Sequence, residues 1–495
     1  LAKCIPALYD DYGRVARLRA PVVYWNELAL ACDVGLPIAL WLTVARRRVE
    51  GVVLLYALVV TLLLTYSRVG VVLACLAVAA SVLLDRDRVE SLVAVALGGG
   101  AGAAVFGIAL LLPGITSDGE SRSVRVHDGW IFALVVLAGA GAVAAAAQLL
   151  KGRQIAAHRR ARVERTAGVA ALALALAAVV ASIAFGHTIW NEFTNPVSSQ
   201  ISSQTQRLGS VNSSNRWRWW QEAWHTFTRH PAGGTGAGTF ELTNQMLRRA
   251  PIVVDEPHNM PLQFLSETGI VGFLLYLGVA AGALWGAWRA RGERAALALG
   301  IGTAVFFAHG IVDKDWSYVA TSGPLLLVAG SLLGSTRAAP APARRPLVAA
   351  CAVAVALAGV YSLAAPWLAG RQLASASTAA AVKRAHAYDP LSVDALLEWA
   401  AFEDAAGNLD HADSLYNDAV TLEPQNARTW YALGSFYFGH KLWRLAYDAL
   451  NNSYTFDRFG PAAQPCGLLD QARTKAFKFT PPKLKCPGSR RSSSP

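Results

Sequence analysis

The chain has 495 residues, of which 54% are hydrophobic and only 16% charged, and its mean hydropathy is +0.34. That composition excludes an ordinary soluble globular protein and puts most of the chain in lipid. The net charge of +12 sits between apolar runs, so it argues for membrane topology, and no nucleic acid is expected as a partner.

The chain opens on Leu1, with no charged region and cleavage site before the first apolar run. No signal peptide is therefore expected, and the chain reads as N-terminally incomplete. A transmembrane helix needs about 20 apolar residues. Runs of this kind recur at 28–45, 50–66, 69–84, 91–112, 130–150, 168–189, 268–288, 295–313, 318–335 and 347–369. The prediction is an all-α polytopic transmembrane bundle with about ten spans, occupying 1–370. The second and third runs, separated only by Ser67 and Arg68, read as a tight hairpin.

Basic residues fall in every second loop: Arg46 to Arg48, Arg86 with Arg88, Lys151 to Arg165, Arg289 to Arg294, and Arg337 with Arg344 and Arg345. The intervening short loops hold only Arg68, Arg122 with Arg125, and Lys314. The positive-inside rule makes the first set cytoplasmic. Residues 1–27, the long loop 190–260 and everything after 370 are then extracytoplasmic, as expected of a multi-pass protein of the cell membrane. Cys32, Cys75 and Cys351 fall inside spans, whereas Cys466 and Cys486 lie in the tail and form a candidate disulfide pair if the tail is extracytoplasmic.

Charge is scarce within the spans, which disfavours a transporter. Asp33 lies near one end of the first, Glu267 at the start of the seventh and Asp313 at the end of the eighth. Arg68, at the hairpin tip, has two readings: a guanidinium that grips a diphosphate, or a snorkelling side chain. In the long loop Ser213, Ser214 and Asn215 offer caps for a helix on which Trp217, Trp220, Trp224 and Phe227 share one face. That face suits the lipid headgroup layer, with a sugar-stacking wall as the sharper alternative. The following His230 to Gly238 stretch is a helix stop with weak value as an anion-binding turn, and His258-Asn259 places a titratable base just before the seventh span.

Beyond the last span, Pro390 and Pro424 are 34 residues apart, and Ala412 with Ala446 keep the same offset. This is the tetratricopeptide period. Two repeats, 393–426 and 427–460, are expected after a half-unit helix at 371–388, so that 371–460 forms an α-helical domain. It serves either as a groove for an envelope protein or as a scaffold packed on the membrane domain. The Pro-, Ser- and Lys/Arg-rich segment 461–495 is expected to be disordered.

Several of these stretches resemble the O-antigen ligase and polymerase family, membrane glycosyltransferases acting on undecaprenyl-diphosphate-linked glycans. They are Arg19 to Asn26, Thr65 to Arg68, Asn215-Arg216-Trp217 through His230-Pro231 and Gly236 to Gly238, and His258-Asn259 with Gln263, Glu267 and Gly269, followed by Ala308 to Trp316. The resemblance covers about 15–335. It implies His258 as catalytic base and Arg68 with Arg216 as diphosphate-binding residues, with Arg218, Asn259, Glu267, His309 and Asp313 as possible supporting residues. Val69 and Pro261 depart from the family pattern. The implied reaction is inverting transfer from a lipid-linked oligosaccharide donor to a glycan or lipid acceptor, with no cofactor and no metal. Polymerase and ligase share this donor, and the Ala- and Arg-rich composition leans toward polymerase. The reading from another class is a non-catalytic membrane scaffold or transporter that recruits envelope proteins through its repeats. The two separate on whether Arg68, Arg216 and His258 surround one cavity.

Overall fold

The computed structural model describes residues 15–45, 47–151, 156–195, 209–335 and 346–478. Residues 196–208 of the long loop, Arg46, Arg153, Arg337, Arg344, Arg345, Cys4 and Cys486 lie outside them. Among the described residues the chain is all-helical. In order the helices are α1 (Trp25–Val44), α2 (Arg48–Leu64), α3 (Arg68–Leu84), α4 (Arg88–Ala109), α5 (Arg122–Leu149), α6 (Ala157–Thr194) and α7 (Arg216–Arg229). They continue as α8 (Phe240–Leu247), α9 (Met260–Ala290), α10 (Arg294–His309), α11 (Val319–Ser335), α12 (Pro346–Ala374), α13 (Ala379–Tyr388), α14 (Val393–Ala405), α15 (Leu409–Leu422), α16 (Ala427–Gly439), α17 (Trp443–Phe456) and α18 (Leu468–Phe477).

Every apolar run read from the sequence falls on a helix. Among the described residues, five helical segments are long and apolar enough to cross a membrane: α1, α4, α5, α9 and Ala349–Ala374 of α12. Shorter apolar helices run over Arg68–Leu84, Arg294–His309 and Val319–Gly334. The hairpin between α2 and α3 closes at Ser67, whose hydroxyl accepts from the Gly70 amide and so caps α3.

The chain divides into two compact units. The first comprises residues 1–237 and 256–339. Its core has two parts: α1, α2, α4 and α5 close around Leu36, Leu55, Tyr56 and Phe132, while Leu30 of α1 joins α3, α9, α10 and α11 around Met260, Tyr276 and Phe306. With lipid as solvent, close packing replaces the hydrophobic effect in joining helices. Thus Gly70 lets α3 approach α1 so closely that a Cβ there would meet the Ala29 Cβ at 2.7 Å.

The second unit comprises residues 238–255 and 340–495. Helix pairs α14/α15 and α16/α17 carry the repeat offset into geometry. Ser392 and Asn426 cap equivalent helices, and Gly407 and Lys441 turn the chain at positive φ in equivalent positions. Ala412 and Ala446 are both fully buried. At Gly434 an added Cβ would stand 2.6 Å from Leu450 Cγ, so glycine lets α16 and α17 close. Part of the segment expected to be disordered is folded: α18 buries Leu469 and Ala472 in a cluster with Ala446 and Leu450. Apolar residues spaced by three outweigh the polar composition there. Cys466 is disulfide-bonded.

The second unit also contains a piece of the long loop. Helix α8 buries Phe240, and Arg248 donates to Asp457 at 3.1, 2.6 and 2.7 Å. Both side chains are almost wholly buried, and the guanidinium lies 5.5 Å from the Phe459 ring centre. Residues 238–255 thus form a strap held by the residues that follow α17, although Arg216 and His258 on either side of it belong to the first unit.

Candidate functional site

The site is built from the start of α1, the α2–α3 turn, the residues before α7 and the two segments that flank α9 and follow α10. They enclose a cavity of about 650 Å³ in the first unit, whose lining includes Arg68, Arg216 and His258. All three residues singled out from the sequence therefore face one space. Arg17, Tyr24, Asn26, Trp219 and Trp220 line it as well.

Arg68 is the first residue of α3, so the helix N-terminus opens on the cavity and favours anions there. Its guanidinium donates to the carbonyl oxygens of Ser210 and, at 2.8 Å, Asn212. These bonds pin the chain entering α7; the same stretch is held from α6, where Asn212 Nδ2 donates to the Glu192 carbonyl at 2.8 Å.

Arg216 begins α7 and donates to Asp313 at 2.7 Å. Asp313 is the hub of the site. It also accepts from Tyr24 Oη at 2.9 Å, from Asn26 Nδ2 at 2.6 Å and from the Lys314 amide at 3.0 Å. Burial alone would raise the Asp313 carboxyl, but Arg216 and the donated hydrogen bonds hold it down at about 2. A permanently charged carboxylate thus fixes the guanidinium in place.

His258 adopts a left-handed backbone, φ 53°, and its Nδ1 lies 3.0 Å from the Glu256 carbonyl. That contact assigns the hydrogen to Nδ1 and leaves Nε2 as the basic nitrogen. Trp219 packs across the ring with centroids 5.1 Å apart, and Trp220 Nε1 donates to the His258 carbonyl at 3.3 Å. Burial first, then the positive charge of Arg216, lowers the imidazole to about 4, so it is neutral at physiological pH.

The other sequence candidates take different places. Asn259 caps α9 through the Leu262 amide at 2.8 Å and donates to the Ile311 carbonyl at 2.6 Å. Together with the Met260 amide bond to Gly310 at 2.7 Å, this ties the histidine loop to the turn that carries Asp313. Arg218, Asn259, Glu267 and His309 are not among the cavity's lining residues. His309 is buried against Asp315 at 2.7 Å.

The glycine turn has a structural use. The Thr235 and Gly236 amides donate to the Ser266 and Glu267 carbonyls at 3.1 and 2.8 Å. Helix α9 is broken opposite, at Gly269 with φ 63°. A Cβ on Gly234 would lie 2.3 Å from the Glu267 carbonyl carbon, and one on Gly269 would lie 2.3 Å from the Ala232 oxygen, so only glycines allow the two backbones to interlock. Of the aromatic face, Trp217 packs against Trp190 and Phe193 at 5.0 and 6.4 Å, and Trp224 is 53% exposed.

Sequence reasoning assigned no role to Arg17, Tyr24, Asn26 and Trp219, although the last three lie within stretches that carry the family resemblance. Arg17, buried before α1, donates to the Thr65 carbonyl at 2.8 Å and lies 4.1 Å from the Trp25 ring centre. In the sequence it is one of three arginines, with Arg14 and Arg19, just ahead of a span, and nothing there sets it apart.

No curated protein was found to match the chain. Residues 129–277, which run from within α5 to the middle of α9 and include both Arg216 and His258, match the family model Wzy_C, described as O-Antigen ligase. That stretch of the chain is therefore similar to the O-antigen ligase domain.

Proposed function

We propose that the protein is an inverting glycosyltransferase of the cytoplasmic membrane that takes glycan from an undecaprenyl-diphosphate-linked donor at the outer face and passes it to a glycan or lipid acceptor. One observation carries this reading: two arginines and a neutral histidine with a free ring nitrogen line the same cavity. A transporter or passive scaffold has no need of that convergence.

In the proposed reaction the donor diphosphate lies against Arg216 and the N-terminus of α3 at Arg68. His258 Nε2 takes the proton of the acceptor hydroxyl, the acceptor oxygen forms the new bond to the anomeric carbon, and the anomeric carbon–oxygen bond to the diphosphate breaks with inversion. The electron pair leaves on the lipid diphosphate, where the arginine charge stabilises it without calling on a metal. Trp219 and Trp220 offer flat apolar surfaces beside the base for a sugar ring.

The outward orientation is supported by the alternation of basic loops and by the disulfide at Cys466, since such bonds persist in oxidising compartments. The helix pairs offset by 34 residues support a tetratricopeptide-like domain that binds an envelope protein. Polymerase and ligase differ in acceptor. In a deletion strain, shortened glycan on the carrier lipid marks a polymerase, and full-length unligated glycan marks a ligase.

His258→Ala is the test of the reading. It is expected to abolish transfer while leaving the protein folded in the membrane. Wild-type levels of polymer or ligated glycan in this variant would show that His258 is not the base.

A further inference from the structure

Beneath the cavity, α1, α10 and the turn after α10 bring Glu27, Asp33, His309 and Asp315 together, each with 0% of its surface exposed. His309 Nδ1 lies 2.7 and 2.8 Å from the two Asp315 oxygens. On its other side the ring nitrogen Nε2 has no hydrogen-bond partner, and neither do both carboxyl oxygens of Glu27 and both of Asp33. Five orphaned polar atoms at one place in an interior are an exception to the rule that buried polar groups are paired, and ionisable groups inside a membrane domain are costly unless they serve something.

The surroundings say what is missing. The charged groups acting on Glu27 are Asp315, His309 and Asp313, with the Thr321 hydroxyl on the same side. Asp33 faces His309 and the Cys32 thiol. Asp315 faces His309, Asp313 and Glu27, and Tyr276 approaches it from α9. The set holds three carboxyl groups and one imidazole. Ionised carboxylates only accept hydrogen bonds, so Glu27 and Asp315, which face each other, bond only when one of them carries a proton. A hydrogen supplied to that pair turns one acceptor into a donor and satisfies both partners. Among the described residues, no group of three or more His, Cys, Asp or Glu side chains has the spacing to hold a metal ion.

We infer that Glu27, Asp33, His309 and Asp315 form a proton-binding site inside the membrane domain, separate from the transfer cavity. Asp315 and Asp313 stand two residues apart on one turn, the first bonded to His309 and the second to Arg216. Proton occupancy of the buried site therefore sets the charge on the turn that holds the cavity's arginine. The assignment does not rest on glycan transfer, and its test needs no turnover.

Infrared spectroscopy of the purified full-length chain in lipid nanodiscs reads protonated carboxyl groups directly, through a carbonyl stretch that shifts in D2O. The wild type is expected to show such bands at neutral pH, and Glu27→Gln and Asp33→Asn, which keep shape and remove the titratable oxygen, are each expected to delete a component. Absence of any protonated-carboxyl band in the wild type would overturn the inference, whether or not the variants fold. So would bands that both variants leave intact. Loss of the wild-type bands on adding sodium, potassium or calcium would also overturn it, since the occupant would then be a metal cation.

Discussion

Replacing Asp313 with Asn tests how the site holds its arginine. The carboxylate accepts three side-chain hydrogen bonds, from Arg216 at 2.7 Å, Asn26 at 2.6 Å and Tyr24 at 2.9 Å. The Asn carbonyl can keep one of them, while its amide turns donors toward groups that are themselves donors. Hydrogen bonds to a charged group are worth ~1.5–3 kcal/mol each, so losing one or two, and leaving Arg216 without a counter-charge, amounts to ~3–4 kcal/mol. Arg216 is 18% exposed at its side chain and can swing into the cavity, which recovers part of the loss. The remaining ~2–3 kcal/mol corresponds to a fall in transfer rate of about 30- to 150-fold. The assay is transfer by purified protein from a lipid-diphosphate-linked glycan, with a thermal melt run beside it to confirm folding. A folded Asp313→Asn protein that works within about twofold of the wild type would refute the hub role, because Arg216 would then need no anchor.

Two further outcomes are expected. His258 acts while neutral and protonates only as pH falls through about 4, so kcat/KM should stay flat from neutrality down to about pH 5 and then decline; a bound diphosphate opposes the Arg216 charge that depresses the ring, so the acid limb of kcat should lie at higher pH than that of kcat/KM. An acid limb at the ordinary histidine value of ~6.5 in both profiles would contradict the burial and charge assigned to this residue. Separately, Arg248→Ala removes one side of a buried ion pair and leaves Asp457 uncompensated, which should destabilise the second unit by ~3–5 kcal/mol and speed hydrogen exchange in α8. Unchanged exchange there would show that the strap is held by other contacts.

What could be read from the sequence follows from the distance over which each feature is encoded. Apolar runs specify helices locally, and Ser67 both ends one run and caps the next, so the hairpin was legible. Arg68 and His258 stood out because they interrupt or adjoin apolar sequence. The partners of Asp313 did not, since Tyr24 and Asn26 are 289 and 287 residues away in the chain and only the packing of α1 against α10 brings them together. Trp219 lies off the periodic aromatic face, and periodicity says which residues share a face without saying which face meets a cavity. The glycine turn kept its structural purpose hidden because the atoms that require it, the α9 backbone around Gly269, begin some thirty residues later. The disorder expected for 461–495 failed over α18 for a similar reason: overall polarity concealed two apolar residues with a ready-made hole to fill.

The strap at 238–255 bears on how such a chain could be assembled in evolution or in the laboratory. A tail joined only at its end could be gained, lost or exchanged by cutting once. Here Asp457 takes its buried counter-charge from Arg248, 209 residues upstream, so a graft made at the C-terminus alone would leave the grafted helices with an unpaired buried carboxylate. Exchangeable modules of this architecture come in two pieces of sequence, and a chimera that transfers the tail together with 238–255 should fold where one that transfers the tail alone does not.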